Sequence, residues 1–304
     1  MLKIDIINIL KAILKEENIL KDEMMSSHTS FKTGGRAEYF VTPETADEAK
    51  ALVEALREEN IKYTVIGNGS NLLVSDKGID GVVICIGKKL SGITVDGTSL
   101  TAEAGALLSR ISSVATKNSL TGFEFASGIP GSLGGALVMN AGAYGGEMKD
   151  VVKSTTYIDK SGTIKTITEH NFGYRKSVFQ DGDVILSSVI ELAKGDIAQI
   201  KSRCDELNAR RREKQPLEYP SAGSTFKRPE GYFASKLIDD ANLKGFKLGG
   251  AMVSDKHCGF VINYDNATSM DIFNLMKEVK NTVYDKFGVT LEPEVRLIGE
   301  FPEF

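Results

Sequence analysis

A chain of 304 residues, 41% hydrophobic and 26% charged, has an ordinary globular composition and length enough for two or three lobes, each with a core. A net charge of −4 argues against a nucleic-acid surface, and three widely spaced cysteines (Cys85, Cys204, Cys258) rule out a disulfide framework and fit a reducing cytoplasm. His28, His170 and His257 lie far apart with no HExxH pattern, so no metal site is expected.

At the N-terminus Ile6, Ile9, Leu10, Ile13 and Leu14 recur at helical spacing. Asp5, Lys11, Lys15, Glu16 and Glu17 break the apolar run and no small-residue cleavage site follows, which argues against a signal peptide. The polar face is not notably basic, so a helix packed on the body is favoured over one lying on a membrane. A loop then leads to a strand at 37–41. Thr45 opens a helix with Glu48 three positions on, as in a capping box, and that helix ends near Asn60. A strand at 62–66 runs into the turn Gly67-Asn68-Gly69-Ser70-Asn71, and strands follow at 72–74 and 81–86, giving a βαβ-like unit that feeds a glycine turn.

Short alternating segments recur over 90–105, and 107–118 has a helical pattern. Residues 125–146 then carry no charge at all, yet seven glycines and a proline break the run too often for a bilayer helix. Strand patterns return over 151–167 around the hairpin turn Asp159-Lys160-Ser161-Gly162, and again over 184–192. Asp196, with Gln199 three positions on, caps a helix of about 15 residues that Pro216 stops, and a domain boundary falls between about 195 and 216. The tail reads as a loop at 217–229, a helix near 234–238, a strand at 260–262, a helix over 269–287 and a last strand around 291–298. Neither an internal repeat nor a low-complexity segment is present, and the class is α+β.

Four constellations carry possible chemistry. The 67–71 turn follows a strand, so its backbone N–H groups can converge on an anion; it matches neither GxGxxG nor the P-loop, and a plain tight turn is the competing reading. Two backbone-rich, charge-free segments in one chain point to a large, flat or phosphate-bearing cofactor wrapped by main chain. Tyr174-Arg175, flanked by Gly173 and Ser177, suits a fixed guanidinium aimed at a carboxylate or enolate, against a surface salt bridge. Ser224 has no GxSxG elbow and no nearby histidine, so a triad is poor; its small-residue loop, followed by Lys227 and Arg228, suits an anionic substrate and one hydroxyl donor, against an ordinary loop. Glu292 and Glu294, two apart on a strand, share a face, so one carboxylate can reach a cleft or form an edge-strand ion pair.

As a set these motifs resemble the UDP-N-acetylenolpyruvoylglucosamine reductases, flavoenzymes of bacterial peptidoglycan precursor synthesis. The resemblance runs through the His28-Thr29-Ser30-Phe31-Lys32-Thr33-Gly34-Gly35 segment, the 67–73 turn, and Gly128-Ile129-Pro130-Gly131-Ser132-Leu133-Gly134-Gly135. It continues through Asn140-Ala141-Gly142-Ala143-Tyr144-Gly145, Tyr174-Arg175, Ala222-Gly223-Ser224-Thr225-Phe226-Lys227 and Leu291-Glu292-Pro293-Glu294-Val295-Arg296, in the family's order. It implies a two-lobed FAD-binding module of the vanillyl-alcohol-oxidase type (1–200, lobes about 1–66 and 67–200) and a smaller α+β substrate-binding domain (201–304).

The resemblance further implies non-covalent FAD, NADPH as reductant and a nucleotide-sugar substrate, in a cytoplasmic monomer without nucleic-acid or membrane partners. Gly67, Asn68, Gly69, Ser70, Asn71, Ser127, Gly128, Ile129, Pro130, Gly134, Gly135 and Gly142 would line FAD, with the 67–71 turn on the pyrophosphate. Ser224 matches the family's proton donor, Arg175 and Glu294 the pair that polarises the substrate and stabilises its enolate, and Tyr174, Lys227 and Arg228 would touch substrate. The chain looks like the shorter variant lacking a substrate-covering tyrosine loop. Two other readings stand beside it: an FAD-dependent oxidase or dehydrogenase tethering its flavin through His28, and a flavin-holding subunit without catalysis of its own.

Overall fold

The computed structural model describes residues 5–304; residues 1–4, which the sequence reading placed in the FAD-binding module, lie outside the described residues. The chain divides into two units. The first takes 5–21, Tyr39–Asn68 and Asp80–Arg210, and the second takes Asp22–Glu38, Gly69–Ile79 and Arg211–Phe304. The chain therefore passes from the first unit to the second inside the 67–71 turn, between Asn68 and Gly69.

In the first unit, helix α1 (Ile6–Ile13) buries Leu10 completely, and Leu14 follows it into the same core. Helix α2 (Ala46–Glu58) begins where Thr45 Oγ1 accepts from Glu48 N at 3.1 Å. Glu48 Oε2 reaches back to Glu44 N at 2.6 Å, one residue further out than a reciprocal box would take it. Ala49, Leu52, Val53 and Leu56 are the buried stripe of α2. It connects Arg36–Val41 to Tyr63–Ile66, two strands of a four-stranded sheet in which Ile79–Cys85 lies between them and pairs in parallel with Tyr63–Ile66.

A five-stranded sheet follows, with spatial order Ile164–Ile167, Val152–Ile158, Val184–Glu191, Ser99–Glu103, Ile93–Asp96, every neighbour antiparallel. The turn at 159–162 forms as expected: Gly162 N donates to Asp159 O at 2.8 Å, and Asp159 Oδ1 accepts from Ser161 N and Thr163 N at 2.8 and 3.0 Å. Helix α3 (Leu108–Lys117) matches its sequence pattern. Inside the charge-free stretch the structure adds a helix that the sequence reading missed, α4 (Leu133–Val138), which buries Leu133, Ala136 and Leu137. Helix α5 (Ile197–Lys214) runs 18 residues, somewhat longer than expected, from the Asp196 cap, whose Oδ1 accepts from Gln199 N at 2.9 Å.

The second unit has its own core, built on helix α6 (Ala234–Asp240), helix α7 (Ser269–Phe287) and the sheet Lys247–Leu248, Ala251–Val253, Val261–Asn263. Leu72–Val74 joins this unit by pairing in parallel with Arg296–Ile298. Asp76 adds to the α7 cap: its two carboxylate oxygens accept from Ser269 N and Met270 N, both at 2.9 Å. The expected strand at 291–298 is shorter than its apolar pattern. Pro293 has no N–H to give a ladder, and the flanking backbone turns to another partner: Lys227 N donates to Glu292 O at 2.9 Å and Glu294 N to Thr225 O at 2.8 Å.

Candidate active site

The glycine-lined cradle is assembled by main chain. In the first unit Leu133 N donates to Ala106 O at 2.9 Å, Gly134 N to Ala104 O at 2.8 Å, and Leu108 N to Gly131 O at 3.0 Å, which lays the 131–134 segment along 104–108. Asn68 Nδ2 donates to Pro130 O at 2.6 Å and so ties the 67–68 end of the turn to the same segment. A Cβ added at Gly67 would collide with Ser132 Oγ, and one at Gly134 would stand 3.2 Å from the Ala104 Cβ. In the second unit Gly69 has φ +64, and a Cβ there would collide with His28 O, so glycine is required twice over.

Two hydroxyls in this region have no counterpart. Ser127 Oγ and Ser132 Oγ are buried and form no hydrogen bond to any described residue, and Ser132 is only 2% exposed. An unpaired buried hydroxyl costs about 1–3 kcal/mol. Together with the glycine contacts at 67 and 134 in the same unit, such orphaned donors fit a phosphate-bearing dinucleotide: the residues present suit FAD. Ser132 lies in the recognised motif but was not singled out from sequence; its signal was a serine opposite the Gly67 turn, visible only once 67 and 132 are brought together. Two substitutions test the cradle. Ser132→Ala should stabilise the flavin-free protein by about 1 kcal/mol and weaken its hold on FAD, measured by thermal unfolding of apoprotein and by flavin titration. Gly69→Ala, whose Cβ would meet the His28 carbonyl from a positive φ, should purify with much less flavin; full flavin content would refute the cradle.

Arg175 sits at the tip of a two-residue turn. Gly173 N donates to Lys176 O at 2.9 Å and Lys176 N to Gly173 O at 3.3 Å, with Tyr174 and Arg175 between. Arg175 takes φ +54, uncommon for a non-glycine residue, and its guanidinium carbon lies 5.4 Å from the centre of the Tyr174 ring. The turn is tethered to the charge-free segment at two points: Ser177 Oγ donates to Val138 O at 2.7 Å and Asn140 Nδ2 to Gly173 O at 3.0 Å. Beyond Asn140, Tyr144 (φ +54) and Gly145 (φ +89) form the two-residue turn of a hairpin pairing Ala143 with Gly146, both φ positive as a type I′ turn demands.

In the second unit Ser224 and Glu294 are brought onto adjoining backbone. Phe226 bridges Pro293, and Glu294 N donates to Thr225 O. Thr225 is fully buried and holds the loop from three sides: its N–H donates to Gly259 O at 2.8 Å, its Oγ1 accepts from Val261 N at 2.8 Å, and its carbonyl accepts from Glu294. Ser224, the residue before it, is exposed. Asn71, expected at the cofactor, gives its side-chain amide to the Glu294 carbonyl at 3.0 Å, and Asn71 O accepts from Arg296 N at 2.9 Å. The last residue of the glycine turn thus holds the main chain of a candidate acid.

The two cations after Ser224 have protein contacts. Lys227 Nζ lies 3.1 Å from Glu292 Oε2, and the Arg228 guanidinium stacks 4.6 Å from the centre of the Phe233 ring. His28 Nε2 is 2.8 Å from Glu23 Oε1. Burial pushes the Cys85 thiol up to about 11, so it is protonated at neutral pH; its Sγ lies 3.8 Å from Gly67 O. Among the described residues no group of three or more His, Cys, Asp or Glu side chains is placed to hold a metal, and no helix is long and apolar enough to cross a membrane.

Comparison with known proteins agrees with this geometry. A family model for an FAD-binding domain matches residues 37–168, and one for the C-terminal domain of UDP-N-acetylenolpyruvoylglucosamine reductase matches 215–298. The enzyme of that name from Caldanaerobacter subterraneus subsp. tengcongensis is 53% identical over 96% of this chain and 97% of its own. The one from Clostridioides difficile is 51% identical over 97% of each. The crystal structure of the Thermus caldophilus reductase superposes with a TM-score of 0.80 at 33% identity, covering 91% of this chain and 98% of that one. A glucose dehydrogenase, Phl p 4.0202, shares the fold alone, with a TM-score of 0.52 at 15% identity over 64% of this chain and 44% of that one. The fold is α+β, an FAD-binding module of the vanillyl-alcohol-oxidase type followed by a C-terminal domain, and the chain belongs to the UDP-N-acetylenolpyruvoylglucosamine reductase family.

Proposed function

We propose that this protein reduces the enolpyruvyl ether of UDP-N-acetylglucosamine to UDP-N-acetylmuramate with NADPH, through FAD, in peptidoglycan precursor synthesis. It thereby serves cell-wall biogenesis, cell shape and cell division, as a monomer in the cytoplasm. The FAD module is assigned to 1–200 and substrate binding to 201–304. FAD is held non-covalently by Gly67, Asn68, Gly69, Ser70, Asn71, Ser127, Gly128, Ile129, Pro130, Gly134, Gly135 and Gly142, joined by Ser132. It supplies the hydride transfer between nicotinamide and substrate that no side chain can.

The chain's own part is placement, charge and a proton. Hydride added to the terminal alkene carbon leaves an electron pair on the carbon bearing the carboxylate. Arg175, a planar guanidinium cation, stabilises that pair as it spreads into the carboxylate. Ser224 Oγ gives its proton to the same carbon and is reprotonated from water; so basic a carbanion needs no histidine to activate the serine. Glu294 orients the hydroxyl or shares a proton with the enol form. Tyr174, Lys227 and Arg228 contact substrate, the two cations serving its diphosphate. The observation that supports the reading is the backbone pairing of 225–227 with 292–294, which brings the main chains that carry Ser224 and Glu294 together in a protein of this family. The test is the reaction in D2O with unlabelled NADPH. The product should carry a solvent deuterium at the carbon bearing the carboxylate, whatever label the methyl carbon acquires. Absence of product, or deuterium at the methyl carbon alone, would overturn the assignment.

A further inference from the structure

We propose that Asn140 is a positioning residue for Arg175, its side-chain amide holding the turn that carries the guanidinium against the glycine-lined segment; the inference rests on the role given to Arg175 above. Asn140 is only 1% exposed, and both its amide hydrogens and its oxygen are engaged. Its two N–H bonds go to Gly173 O at 3.0 Å and Glu147 Oε2 at 2.7 Å, while its Oδ1 accepts from Lys149 N at 3.0 Å. Only an amide offers two donors and an acceptor on so short a stem. A carboxylate in its place would set one bare oxygen against both the Gly173 carbonyl and Glu147. Asparagine also tolerates the left-handed backbone found here, φ +44.

What Asn140 grips is the part of the turn that most needs gripping. Arg175 is held at positive φ, a conformation that persists in a non-glycine residue when its surroundings impose it. The turn closes on a reciprocal pair of backbone bonds between Gly173 and Lys176, and the bond from Asn140 grips Gly173 O from outside that pair. The second ligand of the amide belongs to the same electrostatic group. Glu147 is held below the usual carboxylate range by its hydrogen bond to Lys149, then by the one from Asn140, with the charges of Lys149 and Arg175 adding to them. Asn140 therefore fixes both the backbone under Arg175 and an anion within its field, from a position two residues before Gly142 of the cofactor segment.

The test uses the FAD-loaded full chain and the pair Asn140→Gly and Arg175→Ala. Glycine accepts φ +44 without strain, so only the side-chain bonds are lost. Asn140→Gly should keep its flavin and its rate of reduction by NADPH, slow the substrate-dependent half of the cycle about 10²-fold, and speed hydrogen exchange at the amides of Lys149 and of 173–176. Added to Arg175→Ala, it should slow that half no further. Asn140→Asp, which keeps the acceptor for Lys149, should behave alike and serves if the glycine variant does not accumulate. Multiplying effects in the double variant, equal slowing of both halves, lost flavin, or unchanged exchange over 173–176 would overturn the positioning role while leaving the reductase reading intact. An Arg175→Ala protein that turns over normally would instead overturn the role of Arg175, and the positioning role with it.

Discussion

Ser224→Ala should be reduced by NADPH at the wild-type rate and should pass the reducing equivalents to the enolpyruvyl substrate about 10² to 10⁴ times more slowly, the range typical for loss of a positioned proton donor. The asymmetry is the informative part, because the serine has work only after the substrate has bound. The variant should also be as stable as wild type. Ser224 is exposed, and the loop around it is secured by buried Thr225, whose three hydrogen bonds do not involve the serine. A surface substitution of that kind changes stability by no more than about 0.5 kcal/mol. Stopped-flow absorbance separates the two halves. Equal slowing of both would mean that the hydroxyl serves binding or structure and that the proton comes from elsewhere.

Arg175→Lys should lose most of the substrate-dependent rate although the charge is kept, by about 10² to 10³, the scale seen when one donor to a developing anion is removed. A planar guanidinium presents a rigid fork to a carboxylate and its enolate; an ammonium is a mobile point charge with its own tight hydration. The fork here starts from a constrained place: a backbone at φ +54, a turn tied at Gly173 and Ser177, and an aromatic ring 5.4 Å from the guanidinium carbon. Because the contact strengthens as charge develops, kcat should fall more than KM rises. A lysine variant within a few-fold of wild type would remove Arg175 from the reacting carboxylate.

Much of this site could be read from the chain because its parts are short and local. A strand running into Gly67-Asn68-Gly69, a charge-free stretch studded with glycine, and caps such as Thr45 and Asp196 announce themselves within a few residues of sequence. Helix α4 did not, since Leu133-Gly134-Gly135-Ala136-Leu137-Val138 is poor in helix propensity and forms through burial of Leu133, Ala136 and Leu137. Asn140, Ser132 and Asp76 were also beyond reach. Each acts on a residue that sequence separates from it: Asn140 on Gly173, Ser132 on Gly67, and Asp76 on the start of α7 nearly two hundred positions later. The shortened final strand has the same cause, because the 225–227 segment that competes for the backbone around Pro293 lies far upstream. The motifs thus marked which stretches matter, while tertiary hydrogen bonding decided which side chains hold them in place.

The most direct measurement is a single absorbance record of the purified protein under anaerobic conditions. The protein should show a bound-flavin spectrum that bleaches on one equivalent of NADPH and returns in full on one equivalent of the enolpyruvyl ether of UDP-N-acetylglucosamine, with free flavin recovered after acid precipitation. A colourless protein that takes up no FAD, or a bleached one that the enolpyruvyl nucleotide sugar fails to restore, would contradict the proposed function.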